Sequence, residues 1–266
     1  MDVVPLSEID GARRQALTAL LQRADAADDH PPLPEPQYHA VVDDGGDGGR
    51  GEVHDGQLVL SEPDGDVAGF ALLTPARDGS TAIHVVLDPE HRDGQLASAL
   101  VGAAVAAATA DGDRPLHLWA MNAGPADDDL ARRYGFEPER DVVQMRVPLP
   151  LADEVLQATR PVVTRPFVPG QDDEAWLRVN NRAFASHPEQ GSWTADQLHE
   201  RLAADWVELE GFLVADDPDG DGLIGFCWTK IHRGRMPVLG EIYVIGVDPA
   251  HHGSGLGRAL TVAGLN

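Results

Sequence analysis

The sequence predicts an α/β (α+β) protein of two tandem domains, each a mixed central sheet flanked by helices. Three observations carry this expectation. The chain repeats itself, strand-like and helix-like segments follow one another in both halves, and a glycine-rich junction joins an apolar strand to a helix in EIYVIGVDPAHHGSGLGRAL, residues 241–260. For the repeat, VVLDPEHRDGQLASALVGAAV (residues 85–105) aligns without a gap on IGVDPAHHGSGLGRALTVAGL (residues 245–265). Asp88-Pro89, His91, Leu96 and Ala99-Leu100 match Asp248-Pro249, His251, Leu256 and Ala259-Leu260 at one offset of 160 residues. A turn, a loop and a helix start held in a single register mark a duplicated unit.

The elements follow in order. Residues 12–27 read as a helix, with apolar positions at Ala16, Leu17, Leu20 and Leu21. Residues 43–51, DDGGDGGRG, read as a flexible acidic loop. QLVLSE, VAGFALL and AIHVVL read as strands, residues 98–110 as a helix and LHLWAMN as a further strand. ADDDLARRYGF reads as a short helix stopped at Gly135, and DVVQMRVPL as the last strand of the first domain. The prolines of residues 148–166 mark a linker between domains at 1–147 and 167–266. The second domain restarts with DDEAWLRVNNRAF and TADQLHERLAADW as helices, then GFLVAD, LIGFCWTKIH and GEIYVIGV as strands. Under the repeat Asn266 aligns with Ala106, so the second domain is expected to be incomplete in this chain.

Composition narrows the function. The net charge of −24, from 44 acidic against 20 basic residues, repels nucleic acid and anionic membrane, so neither is expected as a partner. The one cysteine, Cys227, lies in the apolar run LIGFCWTKI and reads as a buried small hydrophobe. The N-terminus lacks a basic start followed by an apolar core, and LASALVGAAVAAATA is too short to span a bilayer, so a cytoplasmic monomer is expected. The eleven histidines are scattered, and adjacent His251 and His252 are poorly placed to chelate one ion, so no metal is expected.

The glycines of residues 253–257 point to a phosphate at a helix start. A nucleoside triphosphatase loop needs Lys-Ser/Thr after its last glycine; Arg258-Ala259 stands there instead. A dinucleotide fingerprint needs G-x-G-x-x-G and an acid some twenty residues on; the spacing here is G-x-G-x-G. What survives is a strand, a tight turn and amides facing a pyrophosphate.

That arrangement resembles the acyl-CoA loop of the GNAT-type N-acetyltransferases, with the pattern Gln/Arg-x-x-Gly-x-Gly/Ala. Here it reads His252-Gly253-Ser254-Gly255-Leu256-Gly257, with His252 in the place of Gln or Arg. The first domain reads Arg92-Asp93-Gly94-Gln95-Leu96-Ala97, and Gln95 stands where a glycine is expected, so its cradle is degenerate. LARRYGFEP resembles the short helix that follows in the family. In FVPGQDDEAWLRVNNRAFASHPEQGSWT, GFCWTKIH and the junction itself, the second half resembles the mycothiol synthases, a family of tandem GNAT proteins.

The resemblance implies acetyl transfer from acetyl-CoA to the cysteinyl amine of cysteinyl-glucosaminyl-inositol. It implies Glu241 as general base, replaced in the first domain by Thr81, which cannot serve as one. Alternation along the strand predicts that Glu241 shares a face with Tyr243, Ile245 and Val247. Ile245, Gly246 and Val247 would lie along the pantetheine and His252 to Arg258 (His252, Gly253, Ser254, Gly255, Leu256, Gly257, Arg258) around the pyrophosphate. Gly246 inside a strand fits a bulge, a close ligand approach or simple packing. Val85, Val86, Leu87, Arg92, Gly94 and Ala97 are the weaker equivalents in the first domain. Glu189, Lys230, Glu241 and Glu52 are the residues expected at the acceptor. The family's tyrosine acid matches Tyr134 of the first domain, and its second-domain counterpart would fall beyond Asn266. Two other readings stay open at this point: a tandem acetyltransferase for another small amine, and an acyl-CoA-binding protein without turnover.

Overall fold

The computed structural model describes residues 1–28, 30–42, 56–61, 66–76, 79–92, 94–110, 112, 114–185, 192–220, 222–233 and 237–266. The chain divides into two units, residues 1–142 and 143–266.

The first unit begins with β1 (Asp2–Pro5), α1 (Gly11–Asp28) and α2 (Glu35–Val42). Then come β2 (Gln57–Ser61), β3 (Gly69–Pro75), β4 (Thr81–Leu87), α3 (Gly94–Thr109), β5 (Leu116–Trp119) and α4 (Pro125–Arg133). The sheet runs β1-β2-β3-β4-β5, antiparallel except for the parallel β4–β5 pair. Strand alternation sends Phe70 and Leu72 of β3 toward Leu17, Leu20 and Leu21 of α1, and Ala71 and Leu73 toward Leu100 and Ala104 of α3. Both faces of the sheet are therefore covered by helices.

The second unit contains α5 (Asp153–Gln157), β6 (Arg165–Pro166), α6 (Asp173–Ala183), α7 (Ala195–Leu202), β7 (Phe212–Asp216), β8 (Leu223–His232), β9 (Leu239–Val247) and α8 (Leu256–Gly264). Its antiparallel sheet runs β6-β7-β8-β9. One face carries an aromatic core: Trp176 of α6 packs against Phe212, Phe226 and Trp228, all fully buried. Each such side chain contributes about 1.5–3 kcal/mol by leaving water. The other face packs Cys227, Ile242, Ile245 and Val247 against Leu256 and Leu260 of α8. Burial pushes the Cys227 thiol up to about 12, which leaves it inert as a nucleophile. Arg165 ties β6 to α6 and β7 through Asp172 and Asp216, at 2.6 and 2.8 Å. The same guanidinium holds the Asp172 carboxyl below the usual range.

Three features differ from the sequence reading. DVVQMRVPL forms no strand; Val142, Val143 and Met145 are 74%, 71% and 88% exposed, because strand-like alternation yields a strand only where a neighbour supplies a ladder. The stretch expected as a linker holds α5 and β6, the latter paired with β7. The short elements β1 and α2 escaped the periodicity reading altogether. The acidic loop of residues 43–51 lies outside the described residues. No helix among the described residues is long and apolar enough to cross a membrane.

Candidate active site

The repeated junction takes the same form in both units. Asp88 and Asp248 each cap a 3-10 turn, accepting from the amides of Glu90 at 3.0 Å and Ala250 at 2.9 Å. Each also meets an arginine from the helix beneath: Arg23 of α1 at Asp88, and Arg182 of α6 at Asp248, 3.2 Å away. Burial opposes the charge on Asp88, but the Glu90 amide and the Arg23 guanidinium outweigh it and hold the carboxyl below its ordinary value.

Beyond that shared turn the units part. In the second, Gly253 and Gly255 take φ of +76° and +85°, a region that side chains avoid, and Gly255 leads into α8. The first turn of α8 carries amides that a helix cannot satisfy internally. They border a cavity of about 510 Å³ lined by Val247, His251, His252, Gly253, Gly255, Leu256 and Gly257. His252 Nε2–H donates to the Val247 carbonyl at 3.0 Å, folding its ring over the end of β9. Ser254 Oγ donates to the His251 carbonyl at 2.7 Å, and Arg258 Nε reaches Thr159 Oγ1 at 3.3 Å. In the first unit Gln95 cannot take the left-handed turn cheaply, and α3 starts at Gly94, earlier than α8 does under the repeat. There Arg92 is held by Asp28 through two bonds of 2.6 and 2.7 Å, while Ala97 lies in the first turn of α3. Val85 and Leu87 pack toward α3, and Val86 toward α1.

At the other end of β9 the structure corrects the expected faces. Trp228 of β8 stands opposite Val244, but Thr229 stands opposite Ile242, so β9 carries an extra residue at Tyr243. This β-bulge shifts the period-2 phase. Ile245 and Val247 consequently face α8, whereas Tyr243 stays on the aromatic face with Trp206 and Trp228. Glu241 lies two residues before Tyr243, on that same face, opposite Lys230. The bulge is thus at Tyr243 and not at Gly246. A Cβ on Gly246 would come within 2.7 Å of the Phe226 ring, so packing explains that glycine.

Three side chains converge there. The Lys230 ammonium stands 4.5 Å from the Trp206 ring centroid and 5.7 Å from that of Tyr243, a cation–π arrangement. His232 Nε2–H donates to Glu241 Oε2 at 2.7 Å, with the two side chains 33% and 46% exposed. Sequence reasoning placed Tyr243 on the face of Glu241 but missed His232 and Trp206, since only the folded chain brings them beside Glu241 and Lys230. Glu52 and Glu189 lie outside the described residues. Thr81, which replaces Glu241 under the repeat, is 9% exposed. The Tyr134 hydroxyl donates to the Ser98 carbonyl of α3 at 2.5 Å.

Comparison with known proteins decides the family. The model for "Acetyltransferase (GNAT) family" matches residues 15–136 and again 175–263. The mycothiol acetyltransferase of Arthrobacter sp. (strain FB24) is 39% identical over 97% of this chain and 80% of its own length. That of Geodermatophilus obscurus is 40% identical over 100% of this chain and 86% of its own. The chain belongs to the mycothiol acetyltransferases of the GNAT family. Its members are acyl-CoA-dependent N-acetyltransferases, and GNAT enzymes use acetyl-CoA. Among solved structures, a GCN5-related N-acetyltransferase from Sphaerobacter thermophilus covers 99% of this chain and 82% of its own at TM-score 0.61 and 21% identity. A tandem GNAT protein from the clavulanic acid biosynthesis pathway does so at 0.59 and 19%, over 99% and 84%. At those identities the likeness shows the tandem GNAT fold. The two matches to the family account for the duplication, one GNAT unit in each half of the chain.

Proposed function

We propose that this chain moves acetyl from acetyl-CoA to the cysteinyl amine of cysteinyl-glucosaminyl-inositol, the last step of mycothiol synthesis, and that the second unit carries the chemistry. The observation supporting this is the build of β9. One end opens onto helix-start amides suited to a pyrophosphate, and the other holds a half-exposed carboxylate beside a lysine. The six steps from Glu241 to Val247 span about 20 Å of strand, a length suited to an extended pantetheine.

In the mechanism that follows, Ile245, Gly246 and Val247 pair their backbone with the pantetheine. His252, Gly253, Ser254, Gly255, Leu256, Gly257 and Arg258 receive the pyrophosphate, with His252 first releasing the Val247 carbonyl. Acetyl-CoA, when bound, supplies the activated acyl group. Glu241 takes a proton from the acceptor ammonium and the amine lone pair attacks the thioester carbonyl; the C–S bond then breaks, and CoA leaves as a thiolate that takes up the second proton lost by the nitrogen. The ring-held Lys230 offers a donor to the acceptor's hydroxyl groups. Glu189 keeps the acceptor role that the resemblance implies. Val85, Val86, Leu87, Arg92, Gly94 and Ala97 are assigned to a vestigial site, since Asp28 already engages Arg92.

The test measures CoA released from acetyl-CoA with and without cysteinyl-glucosaminyl-inositol. Release dependent on that acceptor supports the reading. Equal release with unrelated small amines defeats the acceptor assignment, and no release with any amine defeats the catalytic one.

A further inference from the structure

We infer that His232 is a positioning residue for Glu241, holding one carboxylate oxygen so that the other faces the acceptor ammonium; this rests on Glu241 being the base. His232 is the last residue of β8 and stands opposite Leu239, on the same face as Lys230 and Glu241. Its Nε2 lies 2.7 Å from Glu241 Oε2, within the range of a charge-assisted hydrogen bond. The bond occupies Oε2 and leaves Oε1 for the substrate.

The surrounding charges show why this task falls to the histidine. Lys230 faces Glu241 in register, yet its ammonium stands over the Trp206 and Tyr243 rings. Arg233, next along the chain, pairs with Glu208. Arg201 of α7 lies over Tyr243, 5.7 Å from the ring. A glutamate on a half-exposed strand otherwise samples many rotamers, and misplacement of a reacting group is expensive in rate. The ammonium proton goes to Glu241 and from there to solvent.

The experiment compares wild type, H232A, H232Q and E241Q in steady-state acetyl transfer, with kcat and KM measured separately. Glutamine is chosen because its amide N–H can occupy the place of Nε2. In H232A we expect kcat to fall about 10- to 100-fold with KM for acetyl-CoA unchanged. H232Q should restore most of kcat. Wild-type kcat in H232A would overturn the inference, as would a loss that H232Q fails to restore. E241Q separates the two levels. Full transfer by E241Q removes Glu241 as base and the inference with it; an inactive E241Q beside a normal H232A removes only His232.

Discussion

Glu241 was singled out through the family resemblance, as the acid opening the apolar strand that runs into the glycine loop. His232 was not, since it lies nine positions before Glu241 and only the β8–β9 register brings the two together. Replacing Glu241 by Gln should reduce transfer by at least two orders of magnitude, the lower end of what a positioned base contributes. Acetyl-CoA affinity, followed by calorimetry, should stay within about twofold, because the carboxylate lies at the far end of β9 from the loop. A second titratable residue governs stability and not turnover. His84 of β4 is 3% exposed, stacks on Trp119 with centroids 6.3 Å apart, and burial lowers its pKa to about 4. Its Nδ1 is buried without a hydrogen-bond partner among the described residues. The unfolded chain therefore binds a proton near pH 6.5 that the folded one refuses until about 4, and the stability tied to His84 falls as pH drops through that window. Between pH 7 and pH 5 this amounts to about 2 kcal/mol. Denaturant midpoints at the two pH values should show a smaller difference in H84L than in wild type.

Among elements, the β9–α8 junction shows what patterning can and cannot give. The Asp-Pro turn and the glycines announced the loop, because few residues tolerate a positive φ. The bulge was invisible: Ile242 to Val247 is apolar on both faces, so no polar residue marks where the alternation changes phase. The failed strand of residues 141–149 makes the complementary point, since local alternation cannot report whether a pairing neighbour exists. For the loop itself, Gly255→Ala forces a side chain into φ +85° and should cost about 1–2 kcal/mol of stability. Because the amides of α8 would also tilt, KM for acetyl-CoA should rise severalfold with kcat nearly unchanged. Calorimetric melting and initial rates at saturating acceptor measure the two effects separately.

For the whole molecule, the gapless repeat made the duplication plain, and the structure adds how the copies diverged. They keep the capped 3-10 turn and its arginine, but the first has traded the left-handed glycine for Gln95 and engages Arg92 with Asp28. We therefore expect one acetyl-CoA per chain by isothermal titration, lost from the second unit's site in a Gly253→Val, Gly255→Val variant. A stoichiometry of two would return the first unit to the list of working sites.

The aromatic face of the second unit has an optical consequence. Of the five tryptophans, Trp176, Trp193, Trp206 and Trp228 all lie in it, and only Trp119 belongs to the first. Intrinsic fluorescence will thus report the second unit almost alone, and Trp206, with an ammonium against its ring, is the natural reporter. An acceptor that draws Lys230 away should change Trp206 emission before any chemistry occurs. The enzyme carries its own probe for acceptor binding, readable by stopped-flow without a label.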